Sequence, residues 1–286
     1  MTQDHGTVNF MWLGTAAVLI SDGDTGILID PYVSRFGLIK IALGFPLRPK
    51  REAAKKLAVE LGGNRIQAVV VSHSHFDHSI DAPYFAGETG AFLFGSPSTL
   101  NVGRGAGLPE HFLKKINTKD TIKAGAFTLK FIESHHGPAL FGRVPYPGTI
   151  DHPLTGLHPA KDYKLGQTYA VVISHPSGTI VHHGSAGFIP GMYEGVTADV
   201  VLLGIAGRGD TRTYLENVPL KMKAKTVIPI HFDNFFAPLT KKIKNLPGVK
   251  MKEFLSEVQK HGKSFELRIP SMGKKEQILG GLRQQS

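Results

Sequence analysis

An apolar, β-branched run, Ala68-Val69-Val70-Val71, leads directly into Ser72-His73-Ser74-His75-Phe76-Asp77-His78. A run of that length reads as a buried strand, which places the imidazole and carboxylate groups where the strand ends and a helix or loop begins. Functional side chains commonly project from an open α/β sheet at such an edge. His73 and His75 alternate along extended backbone and point to one side, while Asp77 and His78, on the turn beyond, reach a second point nearby. Imidazole and carboxylate donors so grouped suit zinc or a similar borderline transition metal, with Mn2+ or Fe2+ also compatible. The rival reading is a polar loop that happens to be rich in histidine, which a single histidine at this place would have favoured.

Cysteine is absent, which removes disulfides, thiolate ligands and thiol nucleophiles and leaves His, Asp and Glu to hold any metal. With 41% hydrophobic and 20% charged residues, 286 residues build a core without difficulty, as one large α/β domain or two small ones. No domain linker interrupts the sequence, so one domain over 1–286 is expected. No stretch approaches the roughly 20 apolar residues of a membrane span. The opening Met-Thr-Gln-Asp-His has no basic segment followed by an apolar core, so the expectation is a soluble chain without a secretory signal, a cytoplasmic location being favoured. The formal charge of +10 favours anionic partners: nucleic acid, an acidic membrane surface, or phosphorylated or carboxylated small molecules. Lysines scattered for solubility account for it as readily. Nothing in the composition speaks to oligomeric state.

Residues 7–13, 16–21 and 26–29 are short apolar runs separated by Gly14 and Ser21-Asp22-Gly23-Asp24, a β-meander closed by Asp30-Pro31. An aspartate at the end of a buried strand is costly unless paired, so Asp30 is expected to accept a hydrogen bond from a metal-bound histidine. The unusually apolar segment 34–49, flanked by Arg35, Lys40, Arg48, Lys50 and Arg51, reads as a core helix, as a lip over the site, or as a peripheral membrane contact. A helix follows over 50–61, ended by Gly62-Gly63. Beyond the histidine-rich stretch come strands at 92–94 and 127–132, with a helix near 97–102 and a loop around Gly103-Arg104-Gly105 between them. That alternation is α/β.

The strand ending at Ile132 runs into Glu133-Ser134-His135-His136, and 138–166 reads as a long irregular loop of functional length. A hairpin over 168–182 turns at His175-Pro-Ser-Gly178 and leads to His182-His183-Gly184-Ser185. Strands at 199–203 and 226–230 flank a helical stretch near 211–223, and the second ends in His231-Phe232-Asp233. Three strands ending in histidine point to one edge of a sheet. The remainder adds an amphipathic stretch at 251–260, a short strand at 264–269 and a polar tail from about 274. The parts before and after about residue 135 both run strands then helices, the signature of a weak internal duplication.

Asp30, the His73 to His78 box, His135/His136 and His231 together resemble the metallo-β-lactamase fold superfamily over residues 8–236. Trp12-Leu13-Gly14 and Ile29-Asp30-Pro31 look like its branch of ascorbate-phosphate lactonase-like and N-acyl-phosphatidylethanolamine phospholipase D-like hydrolases. The resemblance implies a four-layer αββα sandwich. It implies one metal on His73, His75 and His136, with His135 as fallback, and a second on Asp77, His78 and His231, with Asp30 behind the ligands. It also implies a metal-dependent hydrolase acting on an ester, lactone or phosphodiester, with a small, anionic or lipid-like substrate. Two departures matter. Ser185 stands where members commonly carry a bridging aspartate, and Thr15 stands where a histidine usually follows Trp-Leu-Gly. A neutral hydroxyl cannot replace a bridging carboxylate, so the site holds one or two ions. Asp233 would either compensate in part or cap a helix.

The implied chemistry is hydrolysis by metal-activated hydroxide, with Asp77 placed to accept a proton or orient the water. Of His152, His158, His182 and His183, the last two are the candidates for substrate or proton handling. A catalytically weakened metal-binding sensor, motivated by Ser185, and a nuclease are the rivals. Nucleic acid is disfavoured because the large domain of nucleic-acid-processing members would have to fit in the short span 186–230.

Overall fold

The N-terminal apolar runs pair as the expected meander, β1 (Val8–Gly14), β2 (Ala17–Ser21) and β3 (Gly26–Ile29). They belong to a computed structural model that describes residues 6–139, 142–239, 243–262 and 264–280. On the far side of β3 the sheet continues in parallel through β4 (Ile66–Val70), β5 (Phe92–Gly95) and β6 (Leu113–Lys115). A second sheet repeats this plan. Its strands β7 (Thr121–Ala124), β8 (Phe127–Ser134), β9 (Thr168–His175) and β10 (Gly178–His183) pair antiparallel. Then β11 (Val200–Gly204), β12 (Thr226–Ile230) and β13 (Glu266–Leu267) add in parallel. Among the described residues each sheet has seven strands, the seventh of the first being the last strand of the chain.

Parallel neighbours need crossovers, and apart from the turns that join β10 to β11 the crossovers run through helices. These are α2 (Arg51–Glu60), α4 (Ala82–Thr89) and α5 (Pro97–Gly105) for the first sheet, and α6 (Thr211–Asn217) and α7 (Met251–Lys260) for the second. Alternation along the strands sorts the layers. Ile27, Ile29, Ala68 and Val70 turn toward Phe127, Leu129, Val171 and Val181 of the facing sheet. Leu28, Val69 and Val71 turn the other way, onto Ala54, Ala58, Phe85 and Leu100 of the helices. Strands buried on both faces explain the uninterrupted apolar run before His73, and the result is the αββα sandwich.

The element order departs from expectation in four places. The tail from 274 is not all free: Lys275–Leu279 forms β14, which pairs antiparallel with the edge of β1. Its alternating polar residues suit an edge strand with one solvated face, and a polar pattern of that kind is easily read as a tail. Residues 281–286 lie outside the described residues. Gly103-Arg104-Gly105 is the last turn of α5 and not a loop. Two glycines do not end a helix whose Ser98, Thr99, Leu100 and Val102 are buried. The two halves meet between Lys115 and Thr121 rather than near 135. Finally, 34–49 is not a core helix: α1 (Leu38–Ala42) is short, buries Ile41, and leaves Leu38, Ile39, Leu43 and Phe45 exposed.

A chain ending at Lys274 should lose the β14 pairing and leave β1 as a bare edge. We expect its thermal midpoint to fall by about 5 °C or more; an unchanged midpoint in calorimetry would show the pairing to be dispensable.

Candidate metal centre

The residues picked out by sequence come from four strand ends. Asp30 follows β3, the box follows β4, His136 lies two residues past β8, and His231 follows β12. Asp30 and His231 both adopt the left-handed region, with φ of 48° and 55°. Asp and His tolerate that region better than most side chains, yet it costs on the order of 1 kcal/mol or more each. Backbone bonds hold them there: Asp30 donates its N–H to Val70, and His231 donates its N–H to Thr15. Past β4 the chain bends, and a one-turn helix α3 (Phe76–Ser79) carries Asp77 and His78.

Two clusters result. His73, His75 and His136 bring donor atoms within 4.8 Å of one another, as do Asp77, His78 and His231. The clusters abut, with the His73 and His78 rings 3.9 Å apart. Within the second, His231 Nε2 lies 3.3 Å from His78 Nε2 and 3.4 Å from Asp77 Oδ2.

Hydrogen-bond acceptors behind the first cluster fix its tautomers. Carbonyl oxygens only accept, so His75 donates from Nε2 to Pro145 at 2.9 Å and His136 from Nδ1 to Gly137 at 2.6 Å. Ser72 Oγ donates to Asp30 Oδ2 at 2.7 Å, which leaves it to accept from His73 Nδ1 at 3.2 Å. The remaining nitrogens, His75 Nδ1, His136 Nε2 and His73 Nε2, carry lone pairs. His73 Nε2 is buried without a protein partner. A buried unpaired acceptor at the meeting point of two other lone pairs fits a cation and fits little else.

The electrostatics agree with that reading. Burial, reinforced by the neighbouring imidazoles, holds His73 well below the usual histidine range. Burial likewise brings His75 to about 3 and His136 to about 4. All three are therefore neutral, as ligands must be. Burial would raise Asp77, but the charge of His78 and the hydrogen bond to His231 outweigh it and hold the carboxyl below its usual range. Burial would lower His78, but Asp30 and Asp77 prevail and raise it. Its Nδ1 sits 2.9 Å from Asp30 Oδ2.

The remaining candidates have other work. His135 is exposed and belongs to neither cluster. Ser185 Oγ donates to the His135 carbonyl at 3.3 Å. Asp233 neither caps a helix nor compensates for Ser185: its Oδ1 accepts from Thr15 N at 2.7 Å, and its Oδ2 lies 2.7 Å from Arg35 Nη1. It acts on the site through Thr15, whose carbonyl accepts from His231. His182 and His183 are fully buried and belong to neither cluster. His182 donates from Nε2 to Ala16, and His183 Nδ1 pairs with the Tyr193 hydroxyl at 2.6 Å. Gly184 is required beside them, because a Cβ there would lie 2.5 Å from His182 Cε1 and 3.0 Å from Asp30 Oδ2.

Sequence reasoning missed Ser72, Arg35 and Asp81. Ser72 had a signal in its place beside the box. Arg35, buried with φ of 42°, had none, nor had Asp81, which gathers Val33 N, Ser34 N and Ser34 Oγ.

The family model of the Metallo-beta-lactamase superfamily matches residues 11–204, and the chain belongs to that superfamily. Among similar curated proteins, the UPF0173 metal-dependent hydrolase of Pyrobaculum islandicum is 28% identical over 236 residues, covering 80% of this chain and 85% of the relative. That of Myxococcus xanthus is 27% identical over 237 residues, covering 81% and 72%. Similar solved structures include Igni18, a metallo hydrolase from Ignicoccus hospitalis, with TM-score 0.60, 19% identity and coverage of 95% and 98%. Another is the metallo-beta-lactamase fold protein YhfI from Bacillus subtilis, with TM-score 0.59, 16% identity and coverage of 95% and 99%. At those identities the two structures speak to the fold alone.

Removing Arg35 leaves the Asp233 carboxylate buried and unpaired. Arg35→Ala is expected to cost about 3–5 kcal/mol in urea denaturation, and adding Asp233→Ala to recover part of it. Additive losses would mean that the two side chains do not act as a pair.

Proposed function

We propose that this protein is a metal-dependent hydrolase, with one ion held by His73, His75 and His136 and a second by Asp77, His78 and His231. The observation that carries the reading is the set of lone pairs in the first cluster, each aimed by an acceptor behind it, with His73 Nε2 buried and unpartnered. The relatives named metal-dependent hydrolases support it. Nitrogen and oxygen donors without sulfur favour zinc, with Mn2+ or Fe2+ as alternatives.

Divalent ions in such a site supply Lewis acidity, polarising a substrate oxygen and lowering the pKa of water toward about 7. The chain's own groups do the rest. Asp77, ionised at neutral pH, accepts a proton or orients the attacking water with the oxygen it does not commit to a metal. Asp30 holds His78 directly and His73 through Ser72, so one carboxylate orients a ligand of each ion. The substrate class we favour is a small or lipid-like anionic ester, lactone or phosphodiester, in keeping with the charge of +10.

The reading is tested with metal-loaded protein on generic ester, lactone and phosphodiester substrates. His73→Ala and His231→Ala should abolish hydrolysis and lower stability more in metal-containing buffer than in chelator. Activity surviving His73→Ala would sink the mechanism. Asp30→Asn should weaken metal binding roughly 10- to 100-fold while leaving all six ligands in place.

Ser185 favours a second reading, a site with one tight and one weak ion. A bridging anion offsets the repulsion of two cations roughly 3.5–4 Å apart, and a serine hydroxyl bonded to His135 does not. The protein as purified should hold fewer than two tightly bound equivalents, and Ser185→Asp should raise the number. Calorimetric zinc titration of both proteins decides it: two equally tight sites in the unsubstituted chain would show that the missing carboxylate costs nothing.

A further inference from the structure

Between Pro31 and Arg51 the sequence holds five cations, Arg35, Lys40, Arg48, Lys50 and Arg51, and no acidic residue. The structure divides its apolar side chains in two. Phe36, Ile41 and Leu47 face inward, in one cluster with Phe76 from the histidine box and Phe235, whose ring lies 5.3 Å from that of His231. Leu38, Ile39, Leu43 and Phe45 face outward, between 53% and 76% exposed. A surface cluster of this kind marks a place where something else covers it.

We propose that the segment 37–48 docks this protein on an anionic phospholipid bilayer, inserting Leu38, Ile39, Leu43 and Phe45 among the acyl chains while Lys40, Arg48 and Lys50 meet the headgroups, Arg35 being buried against Asp233. Charge complementarity names the occupant. Arg48 and Lys50 are exposed beside the apolar ridge, and Lys40 lies over the Phe36 ring at 5.7 Å, at the edge of that ridge. Of the acidic groups on neighbouring elements, Asp81 is fully buried, Glu52 lies 3.7 Å from Lys55 and Asp162 lies 3.1 Å from His158. The four side chains stand on one short helix and the residues just after it, and all four are exposed. A ridge with a cationic rim matches the boundary between headgroups and acyl chains, where apolar insertion and electrostatic attraction add. An acidic protein partner would need a complementary apolar groove of its own. Docking does not rest on the hydrolase reading, since it involves no proposed metal ligand. It would, however, set the bilayer against the outer face of a segment whose inner face packs on Phe76.

The test is flotation of the full-length protein with vesicles of phosphatidylcholine alone and of phosphatidylcholine with about a third phosphatidylserine. Binding is expected only to the anionic vesicles and should weaken as salt is raised. The exposed substitutions Ile39→Glu with Leu43→Glu should reduce vesicle binding at least tenfold, and Lys40→Glu with Lys50→Glu should abolish the preference for phosphatidylserine. Metal content and thermal midpoint should stay unchanged in both variants, which separates lost docking from lost folding. Absence of binding to anionic vesicles at low salt overturns the proposal, as does equal binding by the apolar variant. So does a wild-type oligomer that the apolar variant dissociates, because the ridge would then be covered by a second copy of the chain.

Discussion

Everything at the centre hangs on one buried carboxylate. Asp30 is fully buried at the end of β3, and burial alone would drive it to its neutral form. The charge of His78, with the Ser72 hydroxyl and N–H, reverses that tendency and keeps it ionised. An isolated buried anion costs several kcal/mol, so the arrangement persists only while these partners stay in place. The dependence runs both ways: Asp30 is what fixes the ring planes of His78 and, through Ser72, of His73. The backbone contributes by placing β3 and β4 side by side in parallel, so that Asp30 N reaches the Val70 carbonyl and Ser72 N reaches Asp30.

That geometry explains which parts of the molecule were legible in the sequence. The run 68–71 followed by the histidine box specifies a strand end in a parallel sheet, because a strand buried on both faces tolerates polar groups only where it stops. The same logic carried the residues before Asp30, His136 and His231. Six donors named from sequence therefore lie in two clusters, as the spacing and the resemblance required. The box also encoded its own division: the extended residues His73 and His75 enter one cluster and the helical residues Asp77 and His78 the other.

What was not legible depended on contacts remote in sequence. Asp233 read as a helix cap or a partial substitute for the bridging carboxylate because nothing in Ile230-His231-Phe232-Asp233 announces Arg35, which lies nearly two hundred residues away and approaches in a left-handed backbone conformation. His182 and His183 looked available for the same reason; the Ala16 carbonyl and the Tyr193 hydroxyl that occupy their ring nitrogens lie outside their own strand. The strand β14 was hidden differently. Edge strands need only half an apolar pattern, and its alternation of Lys, Glu, Gln and Ile resembles solvated coil until β1 supplies a partner.

The Thr15 turn ties these remote contacts to the site. With φ of 53° it offers its N–H to Asp233 and its carbonyl to both the His231 N–H and the Trp12 indole. The contacts Thr15 makes with the site run through its backbone N–H and carbonyl, and both are used. The Arg35–Asp233 pair is then best understood as a clamp: Asp233 holds Thr15, Thr15 holds His231, and Arg35 neutralises the buried charge that the clamp requires. In this chain Thr15 serves the site through its backbone groups, and the Ser185 hydroxyl is committed to the His135 carbonyl.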